Sequence, residues 1–398
     1  MDQFTDPLTQ CGTCKRRFRA DKVLEAAGHE GPWDGLTLEE LGAELAERAV
    51  ACPECSATGK EGLGAPRDFN LLFHTSVGPV EGEGARAYLR PETAQGAIVQ
   101  GPLVLSLTRA RLPAGLAQVG RSFRNEIAVG QSLFRTREFE QAEIQVFCAP
   151  DDGPSVLASW VDDCHGWLTG RLGLSGGSVR RRVHEGSELA HYALATTDLE
   201  FLYPFGWGEL WGVANRGDYD LRRHQEASGH DMRYRDPQTA AKHAFLPHIV
   251  EPALGVGRLV LAVLSDCLVT EHSDAGERIV LRVPDGIAPT RAAVLPLMKK
   301  LGMPDAAEDI ARRLRAAGAG PVCTDVAGSI GKRYRRQDEV GTPLCVTVDH
   351  TTLEDGSVTV RCRDTMRQAR VSVEQLEGCV GPFGLTRHGL QAAFDASA

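Results

Sequence analysis

The sequence predicts an α+β domain with an antiparallel sheet at residues 69–275, followed by an α/β domain at 276–380. A small cysteine-bearing module at 1–68 precedes them, and a short tail at 381–398 ends the chain. Three observations predict this division. Two CxxC pairs stand near the start, the strand-like segments of the middle region lack long crossover helices, and strands alternate with helices after residue 276.

The first module contains two CxxC pairs, Cys11 with Cys14 and Cys52 with Cys55. Four thiolates supply a closed tetrahedral site, which is what a structural Zn²⁺ ion requires. One pair alone could be redox-active, but two pairs in a reducing compartment favour zinc. An amphipathic stretch at 36–49 predicts a helix between the pairs. Because sulfur fills all four positions, the metal is expected to hold the module together without taking part in a reaction.

The clearest helix of the middle region covers residues 155–172, where apolar side chains recur at steps of three and four. These side chains are predicted to pack in the core: Val156, Leu157, Trp160, Val161, Cys164, Trp167 and Leu168. The segments at 199–207 and 209–221 are strand-like and follow each other closely. An antiparallel sheet is therefore expected, because a parallel sheet needs a long connection between neighbouring strands.

The polar stretch at 272–277 is interpreted as a linker. Beyond it, a strand at 292–297 precedes a helix near 305–317, and the alternation continues through a helix at 329–341. Elements of this length predict a compact α/β domain with a largely parallel or mixed sheet. The tail from about residue 381 is weakly patterned and is expected to be mobile.

Composition and charge exclude several classes of protein. A chain of 398 residues with 42% hydrophobic and 24% charged residues fits a globular protein of two or three domains. The sequence has neither an apolar run of membrane-spanning length nor the features of a signal peptide. Its eleven cysteines, mostly scattered, favour a reducing compartment, so a cytoplasmic location is predicted. The net charge of −9 argues against indiscriminate nucleic-acid binding. Basic runs at 15–19, 179–182 and 332–336 leave a specific RNA partner open, the alternative for each being a solvated face.

Charged and aromatic side chains cluster in the segment FRNEIAVGQSLFRTREFEQAE. Arg124 and Glu126 are two residues apart, and Arg135, Phe139 and Glu143 follow at intervals of four. If both arms are strands, this even spacing places the side chains on one face. Such a surface suits a nucleotide, because arginine forks bind phosphate oxygens and carboxylates hold an ammonium group or Mg²⁺. By spacing alone, a solvated hairpin with charged rungs is the stronger interpretation.

Several longer motifs occur together and resemble the glycyl-tRNA synthetases of the dimeric, class II type. They are LRPETAQG (89–96), GRSFRNE (120–126), FRTREFEQAE (134–143), GVANRGDYDL (212–221), HIVEPALGVGR (248–258) and SIGKRYRRQDEVGTPLCVTVD (329–349). The resemblance implies a class II catalytic domain, an anticodon-binding domain and a zinc-bearing N-terminal module. It also implies a two-step reaction, in which glycine and ATP form glycyl-adenylate before the glycyl group passes to tRNA(Gly). A homodimer that uses Mg²⁺ is expected for this family.

The resemblance implies a nucleotide-binding role at each matching position. Arg124 resembles the arginine that contacts the α-phosphate and the amino-acid carboxylate. Arg135 would contact the terminal phosphates, and Phe139 would stack on adenine. Arg258 resembles the arginine that binds the γ-phosphate. Glu126 is assigned to the ATP site and, with Arg124 and Arg258, to the catalytic set.

Glycine and tRNA contacts follow from the same resemblance. Glu92 and Glu143 resemble the carboxylates that hold the glycine ammonium, and Arg216 a partner for its carboxylate. Glu251 would hold Mg²⁺ or the amino group of the substrate. The basic run on the predicted helix at 329–341 is assigned to tRNA, the alternative being a solvated helix face: Lys332, Arg333, Arg335 and Arg336.

The sequence also departs from the family pattern. The family carries, before its FTDPL stretch, a segment with the first class II motif that builds the dimer interface, whereas here FTDPL begins at Phe4. Without that segment the chain is expected to be aggregation-prone or monomeric, and poorly active. Ala253 stands where the family often has Ser, and the loop AVGQS lacks the usual Pro-Arg.

Two other functions therefore stay open beside a working ligase. One is a non-catalytic relative that binds tRNA or regulates, and the other is amino-acid activation for a different acceptor. The charged residues from Glu92 to Arg258 are intact, which favours the ligase.

Overall fold

The computed structural model describes residues 4–29, 31, 33, 36–80, 84–237, 244–273, 276–382 and 384–396. The chain divides into two compact units. The first comprises Met1–Arg171 and Ser175–Ala262, and the second comprises Leu172–Leu174 and Val263–Ala398. Among the described residues, no helix combines the length and the apolar character that crossing a membrane demands.

The N-terminal part of the first unit is a small sheet that carries two helices. Its antiparallel strands have the order β2-β1-β3, with the bounds β1 (Thr5–Gln10), β2 (Arg17–Arg19) and β3 (Arg67–Asn70). The helices are α1 (Ala20–Ala26) and α2 (Leu38–Glu47). Thr37 and Glu40 form a capping box at the start of α2, and Leu41 and Leu45 are buried. The predicted amphipathic helix is confirmed.

A six-stranded antiparallel sheet forms the centre of the first unit, in the order β6-β7-β13-β10-β9-β8. Its strands are β6 (Ala114–Phe123), β7 (Glu138–Cys148), β8 (Val179–Val183), β9 (Ala195–Tyr203), β10 (Gly206–Gly217) and β13 (His248–Gly255). Two hairpins lie outside it, formed by β4 (His74–Val77) with β5 (Ala85–Tyr88) and by β11 (Tyr234–Arg235) with β12 (Ala244–Phe245). The antiparallel sheet predicted for the middle region is confirmed.

Three helices of this unit accompany the sheet, α3 (Ala94–Thr108), α4 (Gly153–Gly166) and α5 (Tyr219–Ser228). A π-helical turn, Trp167–Arg171, extends α4 and confirms the helix predicted at 155–172. Helix α3 approaches β7 closely at Gly101, where an added Cβ atom would lie 2.2 Å from the Phe147 ring. Only glycine fits at this contact.

The second unit contains a five-stranded mixed sheet in the order β17-β16-β18-β19-β20. Its strands are β16 (Ala292–Pro296), β17 (Val322–Thr324), β18 (Leu344–Val348), β19 (Ser357–Cys362) and β20 (Gln368–Ser372), of which the first three run parallel. The helices are α7 (Met303–Ala316), α8 (Ile330–Glu339), α9 (His350–Asp355), α10 (Val373–Gly378) and α11 (Gln391–Ala396). The predicted α/β domain is confirmed.

Two sequence-based expectations for this region are wrong. The described residues of the predicted linker at 272–277 belong to a hairpin of β14 (Leu268–Ser273) and β15 (Gly276–Leu281), which follows helix α6 (Val256–Cys267). The described residues of the tail that was expected to be mobile instead form regular structure, with a short hairpin of β21 (Val380–Gly381) and β22 (Gly384–Leu385) before α11. Leu390 and Phe394 are buried in the core of the unit, and their apolar burial holds this segment in place.

Candidate functional site

One face of the central sheet is built as a shallow trough. The register places Glu143 opposite Ala253, Ala253 opposite Gly212, and Gly212 opposite Asp198. Directly opposed residues of antiparallel strands project to the same side of a sheet. Small residues in the centre of this row therefore leave space above the sheet, with a carboxylate on either side.

The trough opens into a cavity of about 320 Å³. Of the nine side chains that the sequence assigned to the nucleotide and to glycine, all but Arg216 line this cavity: Glu92, Arg124, Glu126, Arg135, Phe139, Glu143, Glu251 and Arg258. The structure thus gathers residues that are up to 166 positions apart in the chain, the separation of Glu92 and Arg258. Their individual roles remain predictions.

The two arms of the predicted hairpin are shorter than the sequence suggested. Strand β6 ends at Phe123 and β7 begins at Glu138, so Arg124, Glu126 and Arg135 lie in the connecting loop. The argument from even spacing is wrong for these three residues and holds only for side chains on β7. Their position on the cavity depends on the loop, in which the Arg124 amide donates a hydrogen bond of 2.9 Å to the carbonyl of residue 137.

Carboxylates surround a buried arginine at one end of the cavity. Arg216 donates to Glu251 at 3.0 Å and to Asp220 at 2.7 Å, and its Nη2 lies 3.8 Å from Glu92. Gln145 donates to the other oxygen of Glu251 at 2.6 Å. Arg216 is 2% exposed, and it is absent from the cavity wall. The predicted contact of Arg216 with a substrate carboxylate is therefore not available in this conformation, because its donors face the protein's own acids.

The buried carboxylates resist ionisation. Burial, followed by the charges of Glu251 and Glu92, raises the pKa of Glu143 to about 7, although a hydrogen bond of 2.5 Å from Thr93 opposes the shift. Burial also raises the pKa of Glu251 despite the nearby Arg216. Burial alone would lower the pKa of Arg216, but Glu251 and Asp220 outweigh it and raise that pKa. This end of the cavity has more acids than bases and attracts a cation.

Guanidinium groups and aromatic rings lie at the other end. The Arg124 guanidinium is 5.5 Å from the centre of the Phe139 ring, and its Nε donates to the carbonyl of Pro91. Arg258 lies 4.3 Å from the centre of the Phe134 ring and donates to a carboxylate oxygen of Glu209 at 3.0 Å. A planar guanidinium of this kind can bind phosphate oxygens in pairs.

The cavity residues that the sequence analysis missed include Phe134, Asp198, Glu209 and His184. His184 Nε2 lies 2.7 Å from an Asp198 oxygen. Burial, followed by the charge of Glu209, raises the pKa of Asp198 to about 6, and His184 opposes the shift. The acids and His184 stand alone in the sequence, so no spacing could single them out, whereas Phe134 lies inside the quoted motif at 134–143 and received no role.

The four cysteines of the first module converge on one point. Cys11 Sγ is 3.6 Å from Cys55 Sγ, Cys14 Sγ is 3.6 Å from Cys52 Sγ, and all four sulfurs lie within 4.8 Å of one another. Sulfurs held at about 2.3 Å from a tetrahedral zinc ion would lie about 3.8 Å apart. The cluster can therefore hold a metal ion with its sulfurs close to the positions that zinc requires.

Matching turns position these sulfurs. The residue after each pair, Lys15 or Ser56, has a positive φ, of 59° and 57° respectively. The amide of each donates back to the carbonyl of the first cysteine of its pair, at 3.1 Å and 2.9 Å. The two CxxC pairs thus share one local backbone design.

The basic run on α8 is only partly accessible. Lys332 and Arg335 are exposed, and Arg336 forms an ion pair with Asp325. Arg333 is 2% exposed and donates to backbone carbonyls of Asp325 at 3.3 Å and Gly328 at 3.2 Å. The prediction that Arg333 contacts RNA is wrong for this conformation, because its guanidinium is used inside the unit.

Comparisons with known proteins agree with this geometry. A family model described as the tRNA synthetase class II core domain (G, H, P, S and T) matches residues 79–267, and one described as an anticodon binding domain matches residues 291–380. The glycine–tRNA ligase of Bacillus anthracis is 47% identical over 379 residues, covering 94% of this chain and 81% of its own length. That of Lysinibacillus sphaericus is 46% identical, covering 95% and 81%. That of Clostridium acetobutylicum is 46% identical, covering 94% and 80%.

Proposed function

The chain belongs to the glycine–tRNA ligase family of class II synthetases, and from this premise we propose that it charges tRNA in the cavity described above. In the first step a glycine carboxylate oxygen attacks the α-phosphorus of ATP, and the bond to the β-phosphate breaks to release pyrophosphate. In the second step a hydroxyl oxygen at the 3′ end of tRNA attacks the glycyl carbonyl, and AMP leaves. The observation that carries the proposal is one cavity whose wall combines carboxylates with arginines and aromatic rings.

The carboxylate end binds the glycine ammonium. Glu92, Glu143 and Glu251 line it, and the ammonium group has three N–H donors, one for each carboxylate. Arg216 holds Glu251 in place and compensates part of its charge. Because the pKa of Glu143 is about 7, the arrival of a cation would favour release of its proton and so tighten the contact.

The arginine end binds ATP. Arg124 neutralises charge at the α-phosphate and orients the attacking carboxylate, and Arg135 binds the terminal phosphates. Phe139 stacks on adenine, with its ring already beside Arg124. Arg258 binds the γ-phosphate after exchanging Glu209 for the phosphate oxygens. Catalysis then rests on in-line positioning and charge neutralisation, with no nucleophile from the protein.

Metal ions complete the proposal. Mg²⁺ takes oxygen ligands from one or two carboxylates and from substrate phosphates, and Glu126 is the cavity carboxylate proposed to hold it, with Glu251 as a ligand only if it does not bind the ammonium. When bound, Mg²⁺ would supply further neutralisation of the phosphate charge. The four-cysteine cluster holds Zn²⁺ as a structural ion, a role supported by its sulfur-to-sulfur distances.

The second unit recognises tRNA(Gly), and the exposed residues Lys332 and Arg335 with Arg336 are the proposed contacts on α8. The net charge of −9 makes such local basic groups necessary for approach to RNA. We propose a cytoplasmic location and, on the family resemblance alone, a homodimer. A monomer in sedimentation of the purified protein would instead match the expectation for a chain without the interface segment.

Glycine-dependent exchange of pyrophosphate into ATP tests the first step, and charging of tRNA tests the second. Arg124→Gln should reduce exchange by roughly 100-fold or more, since an oxyanion-binding donor contributes about 3 kcal/mol. Arg121→Gln is the matched control, because Arg121 is an exposed arginine paired with Glu138 outside the cavity.

Each outcome separates the ligase from its alternatives. Absence of exchange in the wild-type protein would favour a non-catalytic relative. Exchange without charged tRNA would favour a different acceptor. The intact set of cavity side chains gives neither alternative specific support.

A further inference from the structure

Small side chains form the sheet surface at the acidic end of the cavity. Ala214 lies directly opposite Glu251, and Ala253 lies directly opposite Glu143. Residues in such cross-strand pairs project to the same face. The residues directly opposite these two acids on β10 and β13 thus offer no more than a methyl group, so bulk that excludes a side chain longer than that of glycine must come from other residues.

Tyr192 supplies the bulk at this end. It lines the cavity, and its ring centre lies 4.0 Å from the guanidinium carbon of Arg216, the residue that binds Glu251 and Asp220. This stacking fixes the plane of the ring, because a guanidinium held by two carboxylates cannot turn away from it. The Tyr192 ring is therefore a rigid wall above the acids.

Tyr192 shares the cavity wall with Glu92, Glu251 and Arg124. Burial raises the pKa of Tyr192 to about 12, and the charges that act on it are those of Arg216, Glu251, Glu92 and Arg124. Two of these are acids assigned to the ammonium, and Arg124 is assigned to the carboxylate. Within the part of the chain that the structure describes, no hydrogen bond to the hydroxyl oxygen is found. Tyr192 therefore lines the same cavity as the residues assigned to the ammonium and to the carboxylate, the two groups that flank the α-carbon of the substrate.

We propose that Tyr192 limits the amino-acid subsite to glycine, with its ring filling the volume that a β-carbon would enter. This inference rests on the proposed function. A pocket that relies on binding energy alone separates substrates differing by one methylene by only about 10- to 200-fold. Steric exclusion by a fixed ring can go further, because an extra methyl group would have to displace both the ring and the buried arginine beneath it.

Selectivity is the measurement that tests this role. Pyrophosphate exchange is measured with glycine, alanine and serine for the wild-type protein, Tyr192→Phe and Tyr192→Leu. Tyr192→Phe keeps the ring and should change the alanine-to-glycine ratio of kcat/KM by less than about threefold. Tyr192→Leu removes the aromatic ring and should raise that ratio by roughly tenfold or more, because discrimination against one methylene is of at least this size.

Tyr234→Leu is the control of matched size. Tyr234 is buried elsewhere in the same unit, where its hydroxyl donates to the carbonyl of Ala110, and it is absent from the cavity wall. This variant should lose thermal stability without a change in the alanine-to-glycine ratio of kcat/KM. As a second measurement, the affinities for non-reactive sulfamoyl analogues of glycyl- and alanyl-adenylate are compared by calorimetry, so that slow chemistry cannot hide a gain in alanine binding.

The outcomes separate the two proposals. A folded Tyr192→Leu that loses glycine and alanine activity equally, and binds the two analogues in the wild-type ratio, would overturn the role of Tyr192 and leave the ligase proposal intact. A wild-type protein without glycine-dependent exchange would contradict both. An alanine-to-glycine ratio of kcat/KM that rises in Tyr192→Leu, but not in Tyr192→Phe or Tyr234→Leu, would support the inference.

Discussion

Replacing Glu143 by glutamine should make the protein more stable at pH 8 and much less able to activate glycine. Glu143 is 4% exposed, and burial, with the charges of Glu251 and Glu92, raises its pKa from 4.5 to about 7. Glutamine has nearly the same shape and keeps an oxygen for the hydrogen bond that Thr93 donates. The substitution therefore removes the ionisation and little else.

The size of the effect follows from the pKa difference. Between pH 4.5 and about 7 the folded protein keeps a proton on Glu143 that the unfolded chain has released, so the free energy of unfolding falls as pH rises. The whole difference corresponds to roughly 3 kcal/mol at about 1.4 kcal/mol per pH unit. The loss is complete above pH 7 and absent below pH 4.5. Because glutamine does not titrate, the variant should gain roughly 3 kcal/mol over the wild type at about pH 8 and nothing near pH 4.

Thermal unfolding across this pH range measures the gain. For a unit of this size, roughly 3 kcal/mol corresponds to an increase in Tm of about 6–12 °C. Glycine-dependent exchange at pH 8 should fall by roughly 100-fold or more, since a neutral amide replaces a charge-assisted hydrogen bond to the ammonium. Glu138→Gln is the control, because Glu138 is exposed on the same strand and outside the cavity.

Two results would refute this reasoning. One is an unchanged Tm of Glu143→Gln at pH 8, which would mean that the cavity does not oppose ionisation of Glu143. The other is an equal change of Tm at pH 4 and pH 8, which would mean that packing and not charge governs the variant.

The remaining predictions concern the nucleotide, the metal and the basic helix. Phe139→Ala should raise the KM for ATP in the exchange assay by roughly 5- to 100-fold and leave the KM for glycine nearly unchanged, because stacking of a base on an aromatic ring contributes about 1–3 kcal/mol; an equal rise in both would contradict it. Cys52→Ser should lower the zinc content measured by atomic emission below one per chain and reduce the Tm, because a structural site contributes folding energy; a full zinc content would exclude Cys52 as a ligand. Arg335→Ala should weaken tRNA binding and make it less dependent on salt, measured by filter binding at several salt concentrations. Arg333→Ala should instead lower the stability of the second unit by at least about 2 kcal/mol, seen in urea unfolding, since it leaves buried carbonyls without a donor; the reverse pattern would restore Arg333 as an RNA contact.

Patterns within short stretches of sequence predicted much of this protein. The helix at α2, the extended α4 and the alternation of strands and helices in the second unit all follow from periodicity and capping residues. These predictions are correct because the residues within each element determine whether it forms. The prediction of a linker at 272–277 was wrong because polar residues at the turn hid the pairing of β14 with β15. The prediction for the tail was wrong because the burial of Phe394 depends on residues far away in the chain.

The candidate site divides in the same way. Motif resemblance named eight of the side chains that line the cavity, and CxxC spacing named the four cysteines that converge. Spacing did not indicate that Arg216 would be enclosed by Glu251 and Asp220, or that Arg333 would donate to carbonyls inside its unit. Tyr192 stands in a segment without regular structure, and only the stacking on Arg216 distinguishes it.

The sequence by itself determined which residue types were available and which local elements they form, together with the family to which the chain belongs. The tertiary structure decided which of those side chains face the cavity and which form hydrogen bonds or ion pairs inside the protein. Burial and pairing decide this, because they change the free energy of a charge by several kcal/mol and depend on residues far apart in the chain. Glu143 and Thr93, fifty positions apart, meet at 2.5 Å, and no pattern in either neighbourhood foretells it.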